Sequence, residues 1–380
     1  MKTAGIICEY NPFHLGHARQ LRMTKEALGE DTAIVCVMSG NYVQRGVPAM
    51  WDKFTRAGAA VACGADVVLE LPITRVLQSA EGFARGGVEI LGRFGAGYLS
   101  FGAECGDGGL LMDLAARMDS DTFTDTLRSG LDRGLPYAAA RQLALRDEDD
   151  LLSSPNNILG LEYCRAIVTL GSALRPLVIQ RNGDYHAELP TPDAPSATAV
   201  RKLYPHGNWQ DFVPAAAAEQ LAGKPWYDPA FGERAVLARL RALSENEWSL
   251  CAHGSEGLWS KAMKAARSCP SLEAIIEQTK SKRYPRTRIQ RLLLCAYLGI
   301  AQDDLSQPLS HVRILALSET GRTLVRTARK QSNLELINPG QQPKNRAYYE
   351  LERRASDLFT LFAAPEYESL CRLEQDARLF

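Results

Sequence analysis

Over the first 205 residues, short apolar runs alternate with longer stretches in which apolar side chains recur every three or four positions. Residues 3–9 (TAGIICE) are too short for a helix and read as a strand. A loop follows, then a helix over 14–29 with Leu15, Ala18, Leu21 and Leu28 on its inner side. The unit repeats: a strand over 32–40 ends at Gly40, a helix over 51–64 closes at Gly64, and a strand over 66–72 is stopped by Pro72. A helix over 78–94 leads to a fourth strand at 97–104. Helical stretches at 108–118 and after Ser154-Pro155-Asn156-Asn157 precede a fifth strand at 175–182, and Ser196 offers an N-cap for a short helix within 194–204. Apolar strands joined by helices of ten or more residues predict a parallel sheet covered on both faces. That is an α/β, doubly wound, Rossmann-like domain that takes its ligand beyond the carboxyl ends of the strands.

From about Pro205 the strand signal fades and the chain reads as mostly helical, with loops at 223–229, 281–287 and 338–345. The expected division is therefore 1–205, a nucleotide-binding sheet domain, and 206–380, a second, mostly helical domain. A chain of 380 residues suits two such units. Composition adds little: 46% apolar and 23% charged residues are ordinary, and 44 basic side chains cancel 44 acidic ones. Nine scattered cysteines without C-x-x-C spacing suggest neither a disulfide framework nor a zinc site and fit a reducing compartment, the cytoplasm. No window is apolar enough for a membrane span.

Two segments carry candidate chemistry. In "NPFHLGH" (11–17), Pro12 stiffens the turn, Gly16 permits close approach to the backbone, and His14 and His17 share a face of the first helical turn. Unpaired amides and the positive end of the helix dipole favour an anion there, most naturally a nucleotide phosphate. The same histidines could instead cap the helix. In "SATAVR" (196–201), Ser196 and Thr198 lie at a helix start with Arg201 one turn on, an arrangement that serves either an ordinary cap or a phosphate clamp.

Together and in this order, the two resemble the nucleotidyltransferase superfamily, whose H-x-G-H and terminal S-T-x-x-R-type signatures flank the ATP triphosphate. Ala197 stands where that signature has its serine, so this end rests on Thr198 and Arg201. Leu15 also departs from the polar residue expected between His14 and Gly16. Longer words ("GIICEYNPFHLGH", "VMSGNYVQRGVPA", "DKFTRAGAAVACGADVVLELP", "SAEGFARGGVEIL", "SFGAE", "SPNNILGLEY") are similar to the bacterial tRNA(Met) cytidine acetate ligase family across the first 205 residues, with continuation at 280–294.

That resemblance implies a two-step reaction. Acetate attacks the α-phosphate of ATP to give acetyl-adenylate, and the wobble cytidine of elongator tRNA(Met) then takes the acetyl group. Carried over by position, it implies ATP contacts along residues 7–20 (Ile7, Cys8, Glu9, Tyr10, Asn11, Pro12, Phe13, His14, Leu15, Gly16, His17, Ala18, Arg19 and Gln20) and at Gly102, Asn157 and Arg181. Ser196, Thr198 and Arg201 would join them at the far motif, and His14 and His17 would be the catalytic pair. Mg²⁺ is expected to arrive with ATP, with no dedicated protein site. The rival reading is a small-molecule adenylyltransferase of cofactor biosynthesis, which shares the histidine motif.

Charge is uneven. Residues 280–346 hold thirteen Lys and Arg against four acidic residues. Arg283, Arg286, Arg288 and Arg291 lead into an apolar helix and are the expected tRNA-binding cations, and "GRTLVRTARK" (321–330) forms a second basic cluster. Each cluster is either a solvated helix face or an RNA-binding surface.

Overall fold

The computed structural model describes residues 1–145, 151–180, 196–346, 348–371 and 373–376. The first half runs β1 (Thr3–Cys8), α1 (Leu15–Leu28), β2 (Ala33–Ser39), a small hairpin of β3 (Tyr42–Val43) and β4 (Val47–Pro48), α2 (Lys53–Ala62), β5 (Val67–Leu71), α3 (Ile73–Val76), α4 (Ala80–Phe94) and β6 (Tyr98–Ala103). It continues through α5 (Gly108–Arg117), α6 (Asp121–Asp132), α7 (Tyr137–Leu145), α8 (Pro155–Thr169), β7 (Arg175–Gln180) and α9 (Ala197–Leu203). Helices α10 (Ala215–Leu221), α11 (Pro229–Ala242), α12 (Glu245–Leu250), α13 (Leu258–Ser268), α14 (Leu272–Thr279) and α15 (Arg286–Leu298) follow. They precede β8 (His311–Leu317), α16 (Glu319–Gln331), β9 (Glu335–Ile337), α17 (Tyr349–Phe359) and α18 (Leu373–Asp376).

The five strands expected from the sequence pair in parallel in the order β7-β6-β1-β2-β5, with Thr3 to Cys8 of β1 in register with Ala33 to Met38 of β2. Alternation places Ile7, Val35 and Val37 on one face and Ile6, Cys8, Ile34, Cys36 and Met38 on the other. Both faces are buried, as the continuous apolar runs require. Helices α4, α5 and α8 cover the first face, and α1, α2 and α10 the second.

Past residue 205 the structure departs from the expectation that strands fade. β8 adds antiparallel to β5, with Val67 opposite Leu317, and β9 adds parallel to β8, so the sheet has seven strands. The core is shared as well: Leu237, Trp248, Leu292 and Phe359 of the later helices belong to the same apolar cluster as Val35, Val67 and Leu99. The physical reason is that β5 would otherwise present an open edge, which the later half of the chain covers.

After β1 the chain first builds outward through β2 and β5, then crosses to the other side of β1 to form β6. This reversal opens a crevice at the carboxyl ends of β1 and β6, the place where such sheets receive ligands.

Candidate active site

The loop that leaves β1 turns sharply: Tyr10 adopts φ 43° and the Asn11–Pro12 peptide is cis. Tyr10 and Phe13 are buried and meet edge to face, and the His17 ring packs against both. His14 is the N-cap of α1. The Gly16 N–H donates to His14 Nδ1 (3.1 Å), the His14 N–H donates to His17 Nδ1 (3.2 Å), and the two imidazoles stack with centroids 3.7 Å apart. Of the two alternatives raised by the motif, the cap is the one these hydrogen bonds show. The cap engages Nδ1 of each ring as an acceptor, which puts the proton of each neutral imidazole on Nε2 and makes Nε2–H its donor.

The second motif closes on the first. Arg201 on α9 donates to the Asn11 carbonyl and, at 3.0 Å, to Thr198 Oγ1, joining segments 190 residues apart. Ser196 caps α9 by accepting from the Ala199 N–H (3.1 Å), so its hydroxyl serves the helix start. At the end of β6, beyond Gly102, Asn157 Oδ1 accepts from the Glu104 and Cys105 N–H groups (2.9 and 3.0 Å), and its amide donates to the Leu151 carbonyl (2.9 Å). The Glu104 carboxylate in turn accepts from the Asn157 N–H and the Asn156 side chain. Asn157 thus fixes the strand end through its side chain.

Among the remaining expected contacts, Ile7 and Cys8 are buried in β1, and Leu15, Gly16 and Ala18 are half-buried in the first turns of α1. Arg19 is exposed, and Gln20 donates to the Ser100 carbonyl of β6 (3.2 Å). Arg181 lies outside the described residues.

Sequence reasoning passed over the residue that braces this loop. Arg56, fully buried on α2, donates to the carbonyls of Glu9, Ser39, Gly40 and Trp51. It ties the carboxyl end of β1 to that of β2. Its signal was an arginine among alanines on a buried helix face. Burial pulls its pKa down to about 10, against Asp52 and Glu9, so it stays charged at neutral pH. Glu9 accepts from the Gln44 N–H (2.7 Å). Burial pushes its carboxyl upward, while that N–H and Arg56, Arg201 and Arg45 pull it back.

Deeper in the fold, Lys53 Nζ donates to both oxygens of Glu70 (2.8 Å each) and to Glu374. Arg313 Nε lies 3.3 Å from Glu70 and 3.2 Å from Glu374. Burial works against the Lys53 charge, yet Glu374 and Glu70 hold its pKa above the ordinary value. The network joins α2, β5, β8 and α18. Among the described residues no group of three His, Cys, Asp or Glu side chains is placed to hold a metal.

The four arginines expected to bind RNA are largely occupied. Arg286 pairs with Glu273 and Glu277, and Arg283 and Arg288 both pair with Glu256 (3.2 and 2.9 Å). Arg288 also donates to the His253 and Ser255 carbonyls. Arg291 points inward and is only 9% exposed, so it is not on the outer face of α15. The carboxylates come from α14 and the loop before α13, partners that the run of basic letters does not reveal.

A family model described as HIGH Nucleotidyl Transferase matches residues 1–373. The chain is 34% identical to the tRNA(Met) cytidine acetate ligase of Acetivibrio thermocellus over 95% of each chain, and 35% identical to that of Clostridium perfringens, again over 95% of each. The enzyme of that name from Syntrophotalea carbinolica is 36% identical, over 93% of this chain and 87% of its own. The fold superposes on Thermotoga maritima TmcAL bound with alpha-thio ATP with a TM-score of 0.88, covering 100% of both chains at 28% identity. The apo form I of that protein gives 0.91, also at 28% identity, covering 100% of this chain and 99% of the other.

Proposed function

The chain belongs to the HIGH nucleotidyl transferase family and, within it, to the tRNA(Met) cytidine acetate ligases, and on that premise we propose that it uses ATP to acetylate the wobble cytidine of elongator tRNA(Met). An acetate oxygen attacks the α-phosphorus of ATP, forming acetyl-adenylate as the bond to pyrophosphate breaks. The exocyclic amine of the cytidine then attacks the acetyl carbon, loses a proton and expels AMP. Both steps would take place in the cytoplasm, where tRNA serves translation.

What supports this reading is the closure of the Arg201 segment on the Asn11 carbonyl, which sets the Arg201 guanidinium beside the loop that carries the imidazoles of His14 and His17. Such a set of fixed donors favours the negative charge that grows as pyrophosphate departs. In this reading the triphosphate lies over residues 11–18. Gly102 lets the nucleotide approach β6, Asn157 holds the strand end in shape, and Ser196 and Thr198 set the helix that presents Arg201. Mg²⁺ would enter with ATP and would screen its phosphates.

The test is exchange of labelled pyrophosphate into ATP without RNA. Exchange that requires acetate supports acetyl-adenylate formation. Exchange that ignores acetate but responds to a phosphorylated small molecule would instead favour an adenylyltransferase of cofactor biosynthesis.

A further inference from the structure

Of the two basic clusters, the one near α15 is spent on internal partners; α16 is different. Its inner face, with Gly321, Val325 and Ala328, is buried, and a Cβ on Gly321 would meet the Asp66 carbonyl oxygen at 1.9 Å. The helix is pressed onto the start of β5, where Ser318 caps it and donates to Asp66 Oδ1 (2.9 Å). On the opposite face Arg322, Arg326, Arg329 and Lys330 are all exposed, at spacings of four, three and one residues, which makes a single stripe. Between residues 319 and 346 there are six Lys and Arg against Glu319 and Glu335.

Arg329 has a structural duty, donating to the Leu336 carbonyl and Asn338, and cations in a last turn suit the helix dipole. Those two facts account for the end of the stripe but not for its beginning. Among the described residues Arg322 and Arg326 make no hydrogen bond or ion pair, and Arg322 stands near the amino end, where the dipole disfavours a cation.

The helix also leads to the right place. It starts beside Asp66, at the amino end of β5, and hands over to β9, whose Glu335 pairs with His311. Since β8 runs antiparallel to β5, the last turn of α16, with Arg329 and Lys330, lies level with the carboxyl ends of β1, β2 and β5, and Arg326 and Arg322 stand back along the helix toward the amino end of β5, Arg322 by about 12 Å. Three strand spacings, about 15 Å, separate β8 from β1, within the reach of one RNA stem-loop. A membrane surface is a poor fit, because the apolar face of α16 is already buried.

We propose that the exposed Arg322–Arg326 stripe of α16 holds the phosphate backbone of the tRNA stem that adjoins the reacting nucleotide, in place of the ion-paired arginines around α15. The proposal rests on the function given above. It is tested by measuring tRNA affinity of the full chain against salt concentration, with the melting midpoint as a check of folding. Arg322→Gln combined with Arg326→Gln should fold normally and flatten the slope of log affinity against log salt by about 1.8, the release expected for two phosphate contacts. Arg283→Gln combined with Arg286→Gln should change that slope by less than about half as much. A normal slope in the α16 variant, or the larger change in the Arg283 and Arg286 variant, would overturn the proposal while leaving the function intact. Failure of the unaltered chain to acetylate tRNA would overturn the reading on which it rests.

Discussion

His14 and His17 hold the start of α1 through Nδ1 and carry their protons on Nε2, and substitution can separate the two tasks. Asparagine at an N-cap and glutamine three residues on preserve a capping box. His14→Asn combined with His17→Gln should therefore keep the melting midpoint within a few degrees while cutting acetate-dependent pyrophosphate exchange by about a hundredfold or more. His14→Ala should lose the same activity and about 1 kcal/mol of stability as well. Exchange close to that of the unaltered chain in the first variant would remove the histidines from the reaction. The sequence made the pair legible as candidates for either task. The sharing of tasks between two nitrogens of one ring depends on stacking and backbone direction, and letters do not encode it. The brace by Arg56 and the pairing of Arg286 with Glu273 are hidden for a similar reason, since each joins residues that only the fold brings together.

Among the elements, the five parallel strands were readable because each is apolar on both faces and bounded by glycine, proline or a helix start. β8 (HVRILAL) carries similar apolar letters but includes Arg313, and it follows a long helical stretch. Its partner β5 lies some 240 residues earlier, and β9 has only three residues. Strand identity there comes from an open edge elsewhere in the chain. The loop between α12 and α13 supplies another long-range link: His253, at φ 67°, lies with Nε2 2.5 Å from the Leu77 carbonyl next to α3. Burial, with Arg291 and Arg288 nearby, depresses its pKa to about 4. An unfolded histidine takes up a proton near pH 6.5, whereas folded His253 resists until about 4. Its contribution is thus complete above about pH 6.5 and declines as pH falls towards 4, on the order of 2 to 3 kcal/mol in all. Asparagine tolerates the left-handed backbone, so His253→Asn is a usable comparison. The difference in urea midpoint between the unaltered chain and this variant should shrink from pH 7 to pH 4.5, and a constant difference would contradict the assignment.

At the scale of the whole molecule, a sheet completed by β8 and β9 and a core continuous into the late helices predict one cooperative unfolding transition. A fragment ending at residue 205 would bare the edge of β5 and should aggregate rather than fold. Two separate transitions in calorimetry, or a monomeric folded fragment, would contradict this. Lys53→Ala leaves Glu70 and Glu374 buried with one cation fewer and should cost about 3 to 5 kcal/mol in urea unfolding. The same sheet and core join the proposed nucleotide crevice to the basic helix. Incubation of the chain with ATP, labelled acetate and bulk tRNA, followed by separation of the tRNA species and digestion to nucleosides, tests the account most directly. It predicts label in acetylcytidine from elongator tRNA(Met) alone, with one AMP formed for each acetyl group transferred. ATP consumed by transfer of its adenylyl group to a small molecule, with no label in RNA, would contradict it.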